Sequence, residues 1–147
     1  MIAIEFPGIK PVLKTEQGRE YIFCVIRKKW LSITPEEWVR QNVLLYMLHS
    51  MGYPASLIAV EKQLQVGELK KRFDIVLYKD AAPFLLIECK AMQVPVSQKT
   101  MEQAMRYNIA LRAGHFIITN GNNSYGFSMV NGTIITLNQF PALNDDH

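Results

Sequence analysis

Apolar and polar positions change period several times along this chain, and each change marks an element. Residues 1–18 hold Pro7, Gly8, Pro11 and Gly18, which predicts extended or irregular backbone. Residues 20–33 are rich in Tyr, Ile, Phe, Val and Trp and predict a strand or hairpin. Thr34-Pro35-Glu36-Glu37 then turns the period helical: Thr34 is placed as N-cap, Pro35 in the first turn and Glu37 at the capping-box position. This helix is expected to run to about Met51 and stop at Gly52, with Trp38, Val39, Val43, Leu45, Tyr46 and Leu48 as its apolar face.

Strand periodicity returns over 57–66, 72–78 and 83–91, with Gly67-Glu68 and 79–82 as the intervening turns. Ser97 opens a second helix over about 98–112, ended by Gly114. Residues 115–119, 124–130 and 133–137 predict three more strands, joined by turns at 120–123 and Asn131-Gly132. The order βαβββαβββ points to an α/β fold with a central mixed β-sheet flanked by α-helices. With 147 residues, no repeat and no linker, one domain is expected over 1–147, with 1–33 as an N-terminal extension and 34–137 as its core.

Ionisable residues interrupt two of these apolar strands, in RFDIVLYKDAAPFLLIECKA. Burying a charge without a partner is costly, so Asp74, Glu88 and Lys90 call for an explanation. Glu88 and Lys90 are two apart and share a strand face; a hairpin through 79–82 lets Asp74 reach that face too. Two carboxylates beside an ammonium suit a hard divalent cation and a phosphate. Asp74 and Glu88 would each offer an oxygen, and the Cys89 carbonyl would complete the protein ligands, since magnesium keeps several waters. Lys90 would then polarise water or stabilise charge on the phosphate. The same spacing also suits an Asp74–Lys90 ion pair near the strand ends, with Glu88 facing solvent.

Other residues add to this constellation. Gln103 and Tyr107 are i and i+4 on the second helix and share a face, from which they would contact a phosphate or orient Lys90. Glu36 is a candidate third carboxylate, free of the cap that Glu37 is placed to make, although Arg40 stands at i+4 to pair with it. Lys70-Lys71-Arg72 is a basic run suited either to phosphate or to solvent. His49, His115 and His147 have no ligand spacing, and neither a Walker loop nor a nucleophile elbow is present.

Composition narrows the picture further. The chain is 49% hydrophobic and 20% charged, which is globular rather than disordered. A net charge of +3 permits a polyanionic partner without requiring one. Cys24 and Cys89 sit in apolar runs and are expected as buried free thiols. No apolar run approaches a membrane span and the N-terminus has no signal-peptide core, so a soluble cytoplasmic protein with no membrane partner is expected.

Asp74 followed by Glu88-Cys89-Lys90 resembles the PD-(D/E)xK nuclease motif, with Phe73 in place of its proline. Gln103 to Tyr107 resembles the QxxxY motif of exonucleases similar to the bacterial recombination nuclease. The ordered series TPEEWVRQ, SLIAVEKQL, RFDIVLY, LLIECKA, VSQKTMEQAMRYN and ITNG resembles the N-terminal nuclease domain of type I restriction enzyme R subunits. That resemblance implies a restriction-endonuclease-like fold and magnesium-dependent (or manganese-dependent) cleavage of DNA. It implies metal binding by Asp74 and Glu88, catalysis by Lys90, a helix carboxylate from Glu36 and an auxiliary pair in Gln103 and Tyr107. It leaves room for a homodimer or a larger restriction or DNA-processing complex. These 147 residues hold no ATP-driven translocase segment, so ATP dependence is not carried over. The alternative is a non-catalytic nucleic-acid-binding or assembly module that keeps the fold.

Overall fold

The computed structural model describes residues 1–108 and 113–143, without the side chains of Val66 and residues 106–108. In chain order it forms β1 (Leu13–Glu16), β2 (Arg19–Cys24), β3 (Lys29–Ser32), α1 (Pro35–Leu45), β4 (Ile58–Val66), β5 (Leu69–Lys79) and β6 (Ala82–Cys89). Then come α2 (Gln98–Asn108), β7 (His115–Thr119), β8 (Ser124–Val130) and β9 (Thr133–Thr136). The central sheet has six strands in the order β4-β5-β6-β7-β8-β9. Its neighbours are antiparallel except β6 and β7, which are parallel because the chain crosses over between them through α2. The expected mixed α/β sheet is therefore the fold that forms.

The helices lie on opposite faces of this sheet. Val39, Val43 and Leu44 of α1 pack with Ile75, Leu77, Leu85, Ile87 and Ile117. Met101 and Ala104 of α2 pack with Val76, Leu86, Phe116, Ile118 and Phe127. Burial on both faces explains the nearly continuous apolar runs of β5, β6 and β7.

Thr34 caps α1, its Oγ1 accepting the Glu37 amide at 3.0 Å. Glu37 does not complete a capping box; its carboxylate turns instead to Gln41 Nε2 at 3.0 Å. The α-helix ends earlier than its periodicity predicts. Residues Tyr46–Ser50 form a π-helical turn, closed by the Met51 amide on Tyr46 O at 3.0 Å, before Gly52 leaves at φ +70°.

Residues 1–33 differ more from expectation. The segment expected as extended or irregular contains the short strand β1, and β1, β2 and β3 form a separate antiparallel sheet. Gln17 and Gly18, at φ +52° and +76°, make the tight turn between β1 and β2. The stretch LKTE is short and mostly polar, so it carries almost no strand periodicity of its own. Ile2 joins the other sheet, its amide bonding Ser124 O at 2.7 Å. The second helix is described to Asn108; the expected extension over 109–112 lies outside the described residues.

Candidate functional site

Asp74 sits in β5 between Phe73 and Ile75, which are both fully buried. The β5–β6 ladder ends at the Ile75–Ile87 pair, one residue short of Asp74 and Glu88. There the Asp74 carboxylate replaces a backbone partner: Oδ2 accepts the Cys89 amide at 2.8 Å. Its other oxygen, Oδ1, accepts from Arg40 Nη2 at 3.1 Å. So Asp74 links β6 to α1 at the end of a strand pair.

Arg40 is the centre of the surrounding charges. Its side chain is only 5% exposed, yet carboxylate oxygens of Glu61, Asp74, Glu37 and Glu36 lie 3.0, 3.1, 3.3 and 3.5 Å away. Arg27 closes the network from the β2–β3 turn, at 2.9 Å from Glu61 and 3.8 Å from Glu37. Burial works against the Arg40 charge, but Glu37, Asp74 and Glu61 outweigh it and raise its pKa above the usual value. Arg40 donates from Nη2 to Asp74 and Glu36, while Nη1 faces Glu61 and Glu37 at ion-pair distance.

Glu61 reaches this network through an unusual backbone. It adopts φ +53°, and the β4–β5 ladder pairs Val60 with Ile75 and Lys62 with Phe73 but omits Glu61 and Asp74 between them. A left-handed glutamate costs on the order of 1 kcal/mol and persists only where its surroundings demand it. Burial opposes its ionisation, but Arg40 and Arg27 hold its carboxyl below the usual range.

For Asp74 the balance is reversed. Burial pushes its carboxyl upward, the Cys89 amide and Arg40 pull it down, and Glu36 and Glu88 push it up again; the net shift is upward. The structure thus brings Glu36 and Glu88 within electrostatic reach of Asp74. Glu88 has its own cation, Lys71 Nζ at 2.7 Å, which also lies 5.1 Å from the centre of the Phe73 ring. The ion pair anticipated between Asp74 and Lys90 is therefore replaced by Asp74–Arg40, and Glu88 is paired by Lys71 of the basic run.

Lys90 follows the last residue of β6 and is half-buried; its amide bonds Thr119 O at 2.8 Å. Among the described residues no carboxylate comes within ion-pair distance of its ammonium. Gln103 lies on α2 with an exposed side chain that bonds to none of these groups, and the Tyr107 side chain lies outside the described residues. Glu36 is half-exposed, with its carboxylate directed toward Arg40. Cys89 is buried and reduced, as is Cys24, and burial keeps the Cys89 thiol protonated. It enters the site through its amide, bonded to Asp74.

Arg40, Glu61 and Arg27 were not singled out as site residues from sequence, and Lys71 only as part of the basic run. A signal existed for Arg40: it is flanked by Val39 and Val43 on the buried arc of α1, three and four residues after the two acidic positions. Glu61 gave none, because its position depends on a backbone angle.

A divalent cation is compatible with these donors. Asp74 and Glu88 are hard oxygen ligands, and Asp74 is burdened by burial and by like charges that a cation would relieve. Among the described residues no group of three His, Cys, Asp or Glu is gathered for a metal.

Residues 35–141 match the family model described as the type I restriction enzyme R protein N terminus. No curated protein sequence matches the chain significantly. Among solved structures, the fold is similar to a fragment assigned as an HsdR subunit of a type I restriction enzyme from Vibrio vulnificus YJ016. The two are 23% identical with a TM-score of 0.55, over 75% of this chain and 24% of that one. This chain therefore spans about a quarter of that relative's length. Among the described residues no helix is long and apolar enough to cross a membrane.

Proposed function

We propose, from the premise that this chain belongs to the type I restriction enzyme R protein N-terminus family, that it hydrolyses DNA phosphodiesters with a divalent cation. Nuclease-type function of restriction enzymes is what the family supports in general; the cation and the residue roles are our reading. The observation that carries it is the placing of Asp74 at the open end of the β5–β6 ladder, held by the Cys89 amide and Arg40, with Glu88 and Lys90 on either side of Cys89.

Asp74 and Glu88 would hold magnesium or manganese, with Glu36 contributing from α1 and the Cys89 amide fixing Asp74. Bound there, the cation supplies Lewis-acid activation of water and neutralises phosphate charge. Lys90 stands beyond the end of β6, without a carboxylate partner among the described residues, so its ammonium is available to stabilise charge building on the phosphate. Arg40 orients Asp74 and balances the acidic residues around it. Gln103 and Tyr107 are proposed as phosphate or Lys90 contacts on the motif alone. DNA within a larger cytoplasmic restriction or DNA-processing complex is the proposed setting.

A second reading, a binding or assembly module, has one specific observation in its favour. Asp74 and Glu88 each already have a cation within ion-pair distance, Arg40 at 3.1 Å and Lys71 at 2.7 Å. Cleavage of linear, circular and single-stranded DNA in magnesium or manganese separates the two readings, with Lys90→Ala as control. Wild-type cutting that Lys90→Ala removes supports the nuclease. DNA binding with no cutting under any of these conditions replaces it with the module.

A further inference from the structure

The sheet formed by β1, β2 and β3 has an outward face that the candidate site does not use. In β2, Ile22 and Cys24 are fully buried, so the alternate residues Tyr21 and Phe23 point away from the core. Trp30 pairs with Phe23 and Lys14 with Tyr21, which puts these residues on the same outward face. The solvent face of an antiparallel sheet is ordinarily polar. This one carries three aromatic rings, and Trp30 is 37% exposed. Phe23 and Trp30 meet edge to face, with centroids 5.2 Å apart and planes at 64°.

The covering of these rings is informative. Lys14 Nζ lies 4.5 Å from the Trp30 centroid and 5.8 Å from the Tyr21 centroid. One ammonium on a flexible stem therefore lies over both rings. Cation–π attraction and base stacking use the same ring face, so a base can take the place of the ammonium. Residues 10–30 hold six cationic side chains against two carboxylates. Of the cations, Arg27 is directed to Glu37 and Glu61 of the buried network, and Lys14 also pairs with Glu16 at 3.0 Å; Arg19, Lys28 and Lys29 are exposed. A second copy of this face would bring like charges together, whereas a polyanion with open bases satisfies both its charge and its rings. The matched family segment starts at residue 35, after this sheet.

We propose that this face binds an unpaired strand of nucleic acid. Trp30 and Tyr21 stack on bases, and Lys14, released from the rings and from Glu16, joins Arg19, which alternates with Tyr21 onto the same face, on phosphates. Two links make the platform one unit with the candidate site. Arg27 ties the β2–β3 turn to Glu61 and Glu37, and β3 leads within a few residues to Glu36.

The test uses the whole chain, a fluorescein-labelled oligothymidylate and excess chelator. The chelator removes cleavage from the measurement, so the outcome does not depend on the nuclease reading. In a Trp38→Phe background Trp30 is the sole tryptophan, and the oligonucleotide is expected to quench it. Trp30→Ala is expected to weaken binding on the order of 10-fold, with Trp30→Phe recovering most of it. Lys14→Gln is expected to weaken binding and flatten its salt dependence, and it carries the test alone if Trp30→Ala fails to fold. Absence of oligonucleotide binding overturns the proposal, as does affinity unchanged in both variants. So does a concentration-dependent dimer that Lys14→Gln or Trp30→Ala dissolves, because a second copy then occupies the face.

Discussion

Arg40 Nη2 lies 3.1 Å from Asp74 Oδ1, so the first helix and the strand carrying the leading metal-ligand candidate are joined by one buried ion pair. The same guanidinium faces Glu36, Glu37 and Glu61. Removing it leaves four carboxylates facing one another with far less cationic charge. Arg40→Met is expected to lower stability by about 3–5 kcal/mol, as for breaking other buried pairs. Arg40→Lys keeps the charge but not the planar donors, so its loss should be smaller. Urea unfolding of both variants checks this, and a neutral Arg40→Met would show that the network is not structural.

Asp74 gives a pH dependence of definite sign. Its folded pKa is raised above the ordinary 3.8, mainly by burial, so the fold favours its protonated form. Its contribution to stability is full below the unfolded value and is lost as pH rises through the folded one. Asp74→Asn mimics the protonated acid. The difference in unfolding free energy should move in the variant's favour from about pH 3.5 towards neutrality. Glu61 has the opposite shift and loses its contribution as pH falls, but it is present in both proteins. A difference that stays flat across this range contradicts the upward shift.

Cation binding is readable without any substrate. Manganese at about 100 times its dissociation constant should stabilise the wild type by about 2.7 kcal/mol. Asp74→Ala and Glu88→Ala should each lose most of that increment in thermal unfolding. Equal stabilisation of all three proteins places the ion elsewhere.

Lys90→Ala removes a positive charge from the site. Its cleavage rate should fall on the order of 10²-fold or more, because a transition-state stabiliser is lost. DNA affinity should drop only modestly, since one phosphate contact among several disappears. Single-turnover rates beside binding isotherms report the two quantities separately; equal losses in both would make Lys90 a binding residue.

Gly126 in β8 tests the packing of the sheet. A Cβ there would lie 2.7 Å from Phe116 O and 2.9 Å from Ile117 Cγ1. The first contact is backbone in the adjacent strand, which cannot move without disturbing the β7–β8 ladder. Gly126→Ala is expected to destabilise by about 1–3 kcal/mol, measured by chemical denaturation.

What the sequence by itself determined is mostly local. Thr34-Pro35 announces a helix start because capping needs only a hydroxyl and an amide three residues on, and that bond forms. The order of strand and helix periods along the chain pointed to a mixed sheet with helices packed on it, and that sheet forms. The carboxylates interrupting the apolar runs stood out because charge in such a setting is costly. The partners were decided only by the tertiary structure. Asp74 pairs with Arg40, 34 residues away, and Glu88 with Lys71, because helix packing and ladder register choose the nearest cation. Glu61 joins them through a left-handed backbone that no residue pattern announces. Strand β1 exists because β2 offers it an edge, not because Leu-Lys-Thr-Glu favours extension. Hydrophobic period and capping act over a few residues and are written in order along the chain. Ion pairing and strand pairing depend on distance in space, which only the assembled fold defines.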